Sequence, residues 1–209
     1  MTHAVLLSTA YCGPLPYFSL LAGAPQVYIE KHENFIKQTY RNRCVILGAN
    51  GPLPLVIPVE KGRAGKVKIT DLRIADQTPW QRNHWRSIFS AYNSSPFFEY
   101  YEEELRPFFE KKQKFLFDFN MELTETLLGL LEIAPIINFT KDFEQLPVAF
   151  ANFRQSISPK AAAEGSAYPF PETPYTQVFS EKFGFVPQLS ILDLLFNEGP
   201  NSRSVLTGR

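Results

Sequence analysis

The sequence carries one stretch in which basic side chains are unusually dense, HENFIKQTYRNR at residues 32–43. Its basic members are His32, Lys37, Arg41 and Arg43. Because Arg41 and Arg43 are two residues apart, their guanidinium groups lie on the same face if the segment is extended. Two guanidinium groups near a lysine can bind a phosphate or a carboxylate through paired hydrogen bonds. The stretch therefore predicts a binding site for a small anion.

The same stretch offers further substrate-binding and acid–base groups. We predict that Tyr40 stacks on a base or a sugar, that Asn42 adds a hydrogen bond to the substrate, and that His32 moves a proton near neutral pH. The alternative is that the arginines pair with Glu33, with Asp71 or with an acidic helix and only fasten the fold, because buried charges need partners. The residues of the stretch leave both interpretations open.

A second candidate group combines an aspartate, a tryptophan and a histidine. Trp80 and His84 are four residues apart and therefore share one face of a predicted helix, and Asp71 precedes them by a short loop. We predict that Asp71 orients His84 as a catalytic acid–base pair and that Trp80 stacks on the substrate. The alternative is a tryptophan packed on the core beside a surface histidine.

A third group lies near the carboxyl terminus, where Tyr175 and Gln177 precede a helix that contains Asp193 and Asn197. We include Tyr175 and Gln177 among the substrate-binding residues. The alternative is structural, because polar groups in a helix otherwise rich in Leu and Phe need internal hydrogen-bond partners.

The cysteines argue against a disulfide scaffold and against a zinc site. Cys12 and Cys44 are the only two in 209 residues, and their spacing does not resemble a metal-binding motif. Cys44 opens an apolar strand, so we expect a buried and unreactive thiol there. Cys12 precedes a turn, where a thiol can be exposed, but the sequence offers no specific base for it. No metal ligand is predicted.

Composition narrows the function classes further. The chain has 21 basic and 21 acidic side chains, so its formal net charge is zero, whereas nucleic-acid-binding proteins usually show a basic bias. We therefore expect no nucleic-acid partner. The N-terminal residues do not resemble a signal peptide, and no apolar run approaches the roughly 18 residues that span a bilayer. The expected location is the cytoplasm.

Hydrophobic patterning predicts an α/β fold. Apolar runs predict strands at residues 4–7, 26–30, 43–47, 53–59, 67–74 and 136–140, and extended structure at 175–179. Asn50-Gly51 between two of these runs predicts a hairpin. Helices are expected at 17–21, from 80 to about 92, at 97–112 with a break at Pro107, at 121–131 after an Asn120 cap, and at 189–197. We therefore expect one domain over residues 1–209, a mixed sheet with helices packed on it.

Two segments have weaker patterns. The loop at residues 61–66 contains two glycines but lacks the spacing of a phosphate-binding loop, so a plain loop is favoured. Residues 141–174 are rich in proline and poor in periodicity, which is typical either of a linker or of an ordered lid over the domain.

Several motifs in a fixed order resemble the WbqC-like family of bacterial proteins. They are GPLPYFSLLA, YIEKHENFIKQTYRNRCVI, LVIPVEK, ITDLRI, the run from Trp80 to Tyr101, and PQLSILDLLFNEGP. Lys37, Asn42 and Arg43 match the family's Lys-x-x-x-x-Asn-Arg pattern, and Trp80, His84 and Tyr92 match its helical motif. The N-terminal Gln-Pro-x-Tyr-x-Pro pattern of many members is matched here without its glutamine.

The resemblance implies a role in bacterial polysaccharide and O-antigen biosynthesis, and it identifies no cofactor. Our leading expectation is an enzyme that transfers an acyl or aminoacyl group, less favourably a glycosyl group, to a nucleotide-linked sugar. Its partners would be small molecules, an activated sugar or an acyl donor. The alternatives are a non-catalytic binding or assembly protein of a glycan pathway and, third, a cysteine hydrolase.

Overall fold

The computed structural model describes residues 4–60, 67–145, 150–164 and 173–208. The strands are β1 (Val5–Ser8), β2 (Val27–Glu30), β3 (Arg43–Gly48), β4 (Gly51–Val56), β5 (Ile137–Phe139) and β6 (Ala151–Asn152). The helices are α1 (Leu15–Gly23), α2 (Trp80–Tyr92), α3 (Phe98–Leu105), α4 (Leu116–Leu130), α5 (Pro159–Ala163), α6 (Ser180–Phe183), α7 (Ile191–Glu198) and α8 (Ser202–Thr207).

Four strands form a parallel sheet in the order β5-β2-β1-β6. Val5 of β1 lies opposite Val27 of β2 on one side and opposite Ala151 of β6 on the other. The chain adds β2 and then β5 on one side of β1 and later crosses to the other side to add β6. The strand order therefore reverses beside β1, which is where open α/β sheets bind their ligands, at the carboxyl ends of the strands.

β3 and β4 form a separate antiparallel hairpin with Gly48 opposite Gly51. The hairpin predicted from Asn50-Gly51 is confirmed, with Ala49 and Asn50 as its two loop residues. Gly51, the first residue of β4, has φ of 111°, a conformation that side chains rarely adopt. The predicted α/β class with helices around the sheet is also confirmed, and its antiparallel part lies in this second sheet.

Alternate residues divide the parallel sheet into two faces. Val5 and Leu7 of β1 pack into the main apolar cluster of the protein with Val27 and Ile29 of β2. Ser8 pairs with Glu30 in the register and points to the opposite face, since side chains alternate along a strand. The second face thus carries polar side chains at its carboxyl end, and Glu30 there is fully buried.

Three predicted local structures are wrong. Residues 67–74 do not form a strand; Ile69–Asp71 is a 3-10 helix, and the flanking residues make single bridges with different partners, Lys68 with Asn34 and Arg73 with Phe115. Asn120 does not cap a helix, because α4 already begins at Leu116 and the Asn120 side chain donates to the Arg41 carbonyl at 2.7 Å. Residues 173–179 contain no strand.

The proline-rich segment contributes to the sheet, so the linker interpretation is wrong for its described residues. Ala151 and Asn152 form β6, and Pro159–Ala163 forms α5 after a Ser158 cap. The predicted break at Pro107 is confirmed, since α3 ends at Leu105 and a 3-10 helix covers Arg106–Phe109. The glycine-containing loop at 61–66 lies outside the described residues, as do 146–149 and 165–172.

Across the described ranges, every helix is too short or too polar to cross a membrane.

Candidate functional site

A buried ion pair lies where β1 ends. Arg41 donates from Nε to Glu33 Oε1 at 2.8 Å and from Nη2 to Glu33 Oε2 at 2.5 Å, which is the paired geometry of a guanidinium on a carboxylate. Arg41 Nη2 also donates to Ser8 Oγ at 2.7 Å, and Ser8 donates to Glu33 at 3.1 Å. Arg41 is 3% exposed and Glu33 is 4% exposed, so both charges are removed from bulk water.

A second buried ion pair lies beside the first. Arg154, two residues after β6, donates from Nη1 to Glu30 Oε2 at 2.9 Å, and Glu30 is the last residue of β2. The other Glu30 oxygen accepts from Thr140 Oγ1 at 2.7 Å. Arg154 also donates to the Asn152 side chain and to the backbone carbonyls of residues 144 and 145. The carboxyl edge therefore holds two cations and two anions within a hydrogen-bonded region.

His32 joins this edge in a defined tautomer. Its Nε2 atom lies 3.1 Å from the Thr140 carbonyl oxygen, and a carbonyl can only accept, so Nε2 carries the proton. In the neutral ring Nδ1 is then the basic nitrogen. The backbone amide of His32 donates to Glu30 Oε1 at 2.8 Å, which fixes the histidine beside the second ion pair.

A groove of about 300 Å³ opens on the second face of the sheet next to these charges. Its wall contains Leu6, Tyr28, Glu30, Phe139, Thr140 and Phe150, and its rim contains Lys141, Asp142 and Glu144. The rings of Tyr28 and Phe150 are 4.7 Å apart. Aromatic walls with a few polar groups are typical of small-ligand sites, whose volumes run from about 300 to 1,000 Å³. Lys141, Asp142, Glu144 and Phe150 of the proline-rich segment thus contribute to the lining of this groove.

The structure brings only part of the basic stretch to this edge. His32, Tyr40 and Arg41 lie there, and Tyr40 is buried with its carbonyl accepting from the Tyr11 amide at 2.8 Å. Lys37 is exposed, and Arg43 is half-buried at the start of β3.

Asn42 is buried and connects two backbone segments. Its Nδ2 donates to the Ile57 carbonyl, and its own carbonyl accepts from the Ile57 amide, both at 2.8 Å.

The structure brings together only two members of the second candidate group, Trp80 and His84, and not Asp71. His84 is 6% exposed, its Nδ1 lies 2.9 Å from the Tyr11 hydroxyl, and its ring contacts Trp80 edge-on at 5.2 Å. Burial lowers the pKa of His84 to about 4, and a hydrogen bond to the Val56 backbone opposes the shift. Trp80 is itself buried, whereas Asp71 is exposed and accepts from Thr70. Tyr11, not Asp71, is thus the partner of His84.

Tyr175 and Gln177 surround a buried carboxylate. Asp193 accepts from the Tyr92 hydroxyl at 2.9 Å, from the Tyr175 hydroxyl at 2.7 Å and from Gln177 Nε2 at 3.0 Å. Burial raises the pKa of Asp193, and the hydrogen bonds from Tyr175, Tyr92 and Gln177 oppose the rise. This cluster joins the 173–178 segment to α7 and α2.

Both thiols are buried. Cys12 is 2% exposed, so its thiol is not available at the surface, and Cys44 is buried as expected. Burial raises the pKa of Cys12, and the neighbouring Cys44 thiol raises it further. Within the described ranges, no group of three or more His, Cys, Asp or Glu side chains is arranged to hold a metal ion.

Four residues of the carboxyl edge were not predicted from the sequence: Ser8, Glu30, Thr140 and Arg154. A signal existed for three of them, because each ends or directly follows a predicted strand, and polar residues at parallel strand ends converge at one edge of a sheet. Arg154 follows a strand of two residues, which leaves no periodic pattern.

Comparisons with known proteins identify the family. A family model described as the WbqC-like protein family matches residues 9–164 and 160–205. The chain is 26% identical over 228 residues to the uncharacterized protein Rv1507c of Mycobacterium tuberculosis (strain ATCC 25618 / H37Rv), across 99% of this chain and 98% of that protein. No solved structure matches the chain significantly. With nearly its whole length matched by the family model, the chain belongs to the WbqC-like protein family.

Proposed function

We propose that the protein is a group-transfer enzyme that moves an acyl or aminoacyl group onto the amino group of a nucleotide-linked sugar. The observation that carries this proposal is the aromatic groove that opens directly beside two buried Arg–Glu pairs at the carboxyl edge of the parallel sheet. Burying four charges is costly, and it is offset only by close ion-pair geometry and further hydrogen bonds, both of which are present at this edge.

The groove supplies the substrate-binding part of the proposal. Tyr28 and Phe150 present ring surfaces on which a nucleobase or the apolar face of a sugar can stack. Lys141 lies at the rim, where a diphosphate can remain in contact with solvent. A neutral sugar amine would then point toward Glu30 and Thr140 at the base of the groove.

His32 supplies the proton-transfer part. The amine nitrogen attacks the carbonyl carbon of the activated acyl group, the new C–N bond forms, and the bond from that carbon to the leaving group breaks. His32 Nδ1 accepts the proton that the amine nitrogen loses and returns it to the leaving group. The hydrogen bond from Nε2 to the Thr140 carbonyl holds the ring in the tautomer that this step requires.

The proposal is tested by incubating the full chain with nucleotide-linked amino sugars and acyl-coenzyme A or aminoacyl donors. Mass spectrometry should detect a nucleotide sugar that is heavier by one acyl group. His32→Gln retains a donor toward Thr140 but has no base, so we expect kcat to fall by about 10²–10⁴-fold with little change in sugar-nucleotide affinity.

A matched pair of variants tests the groove. Tyr28→Leu should weaken binding of the nucleotide sugar by about tenfold in calorimetry, because one stacking surface is removed. Tyr100→Leu is the control, since Tyr100 is 74% exposed on α3 and is not part of the groove. Binding that Tyr28→Leu leaves intact would place the ligand elsewhere. Saturable binding with no product from any donor would favour a non-catalytic binding protein of a glycan pathway.

A further inference from the structure

A small cavity lies beside Arg154, whose guanidinium pairs with Glu30 of the groove. Its volume is about 10 Å³, close to the space that one water-sized atom occupies. The polar residues around it are Ser8, Thr9, Tyr17, Tyr40, Arg41 and Arg154, contributed by the end of β1, the first turn of α1, the basic stretch and the residues after β6. The cavity is thus formed by residues that are distant in sequence and meet only in the folded protein.

Two hydroxyl groups at this cavity are buried without a hydrogen-bond partner in the part of the chain that the structure describes, Thr9 Oγ1 and Tyr17 Oη. Thr9 is 1% exposed and Tyr17 is 2% exposed. Folded proteins hold few such groups, because a buried hydroxyl that has lost its hydrogen bonds to water is destabilising. Two unpartnered hydroxyl groups around one cavity indicate a binding site for an atom that accepts hydrogen bonds.

The Tyr17 hydroxyl lies within the electrostatic reach of the first ion pair. Burial raises the pKa of Tyr17, the Glu33 carboxylate raises it further, and the Arg41 guanidinium lowers it. Tyr17 is therefore protonated at neutral pH and can act as a hydrogen-bond donor. The Thr9 hydroxyl is a second donor, and a hydroxyl of this kind rotates to suit its partner.

The charges around the cavity favour one class of ligand atom. Arg41 and Arg154 are each matched by a glutamate at hydrogen-bond distance, so the two ion pairs add no net charge. A phosphate dianion would need surplus positive charge at such depth, because an unpaired buried charge is strongly unfavourable. The oxygen of a neutral carbonyl group needs only directed donors, and the two hydroxyls provide them.

We propose that this cavity is an oxygen subsite, which binds the carbonyl oxygen of the acyl group while the rest of the ligand lies in the aromatic groove. This inference deepens the proposed function and rests on it for the identity of the acyl group. The Arg154–Glu30 pair links the two spaces, since Arg154 lines the cavity and Glu30 lines the groove. In this arrangement the acyl group lies beside the pair.

The subsite is tested with a neutral probe, acetamide, and with acetate and inorganic phosphate as charged controls, at constant ionic strength set with chloride. In the wild-type chain we expect a saturable rise of Tm with acetamide and none with acetate or phosphate. Tyr17→Phe and Thr9→Val each remove one hydroxyl with little change of shape, and each should weaken probe binding about threefold to tenfold. Neither variant should lower Tm without a probe, because each deletes a buried group that has no protein partner.

Opposite results would overturn the subsite. If Tyr17→Phe lowers Tm without a probe, the hydroxyl holds a structural water and the cavity is not a ligand site. Stabilisation by acetate or phosphate that matches or exceeds that by acetamide would identify an anion site instead. These readouts need no turnover, so a subsite that binds acetamide survives a failed transfer assay, and an active enzyme whose variants bind acetamide normally would overturn only the subsite.

Discussion

Ser8 Oγ bridges Arg41 and Glu33, since it accepts a hydrogen bond from the guanidinium and donates one to the carboxylate. Ser8, the last residue of β1, is therefore hydrogen-bonded to both members of the first ion pair. This contact connects the parallel sheet to the basic stretch that dominates the sequence. It also explains why Arg41 is buried although arginine is usually exposed.

The Arg41–Glu33 pair should show strong coupling. We expect Arg41→Met to lower the free energy of unfolding by about 3–5 kcal/mol, because it leaves the Glu33 carboxylate buried without its cation. The double variant with Glu33→Leu should lose much less than Arg41→Met alone, since no unpaired charge remains. Chemical denaturation of the single and double variants measures the coupling. Losses that simply add would show that the pair is accessible to water.

Arg154 should control the order of the segment over the groove. Its guanidinium donates to the carbonyls of Glu144 at 2.6 Å and of Gln145 at 3.3 Å. We expect Arg154→Lys to speed amide hydrogen exchange in residues 139–145 at least tenfold, because a lysine cannot bond Glu30 and both carbonyls at once. Exchange in α4 is the internal control. Unchanged exchange at 139–145 would mean that other contacts hold the segment.

His84 should make the protein less stable in mild acid. Its pKa is lowered from 6.5 to about 4 in the folded state, so the unfolded chain takes up a proton first as the pH falls. The stabilising contribution is complete above pH 6.5 and is lost as the pH falls toward 4, by about 3 kcal/mol at most. Urea denaturation at pH 7.5 and at pH 4.5 measures the difference. His84→Asn keeps an acceptor for Tyr11 without titrating, and its pH dependence over this interval should be correspondingly smaller.

Tyr92 should be essential for burying Asp193. Its hydroxyl donates to Asp193 Oδ1 and accepts from the Leu47 amide at 3.2 Å, so Tyr92→Phe leaves two buried groups without this partner. We expect a loss of about 2–3 kcal/mol in the free energy of unfolding at neutral pH.

The pH dependence of this variant has a definite sign. Loss of the hydrogen bond raises the pKa of Asp193 further above its unfolded value of 3.8. A group of this kind stabilises the fold when protonated, and that contribution is lost as the pH rises through the folded pKa. The deficit of Tyr92→Phe should therefore be smaller near pH 4 than at pH 7. Tyr100→Phe, at an exposed position of α3, should show no deficit at either pH.

Features set by neighbouring residues could be predicted from the sequence. The hairpin signalled by Asn50-Gly51 follows from local backbone preference, and the helical period from Trp80 follows from regular spacing. Which face of α2 is buried does not follow from spacing alone. His84 lies on that face, and Phe89 is 44% exposed. A histidine with a hydroxyl partner can be buried, and the partner, Tyr11, is distant in sequence.

The site was less predictable because its members meet through tertiary pairing. The sequence offered Glu33 as one of several partners for the arginines, and only the fold selects it for Arg41. Arg154 lies in a proline-rich segment, two residues after β6, a strand of two residues that is too short to give a periodic sequence pattern. That strand exists because β1 offers a free edge, which is a property of the assembled sheet.

The pairing of β6 with β1 has a consequence for the order of folding. Ser8 and Arg154 are 146 positions apart in the chain, so their contact closes a very long loop. Because closing such a loop costs conformational entropy, we expect this contact to form late in folding. Glu30 belongs to a strand formed near the amino terminus, yet its cation arrives only with Arg154. A sheet of β1, β2 and β5 alone lacks this cation, so we expect the Glu30 carboxylate to stay hydrated until Arg154 has been synthesised. We therefore expect completion of the candidate site and closure of the sheet to be one late folding event.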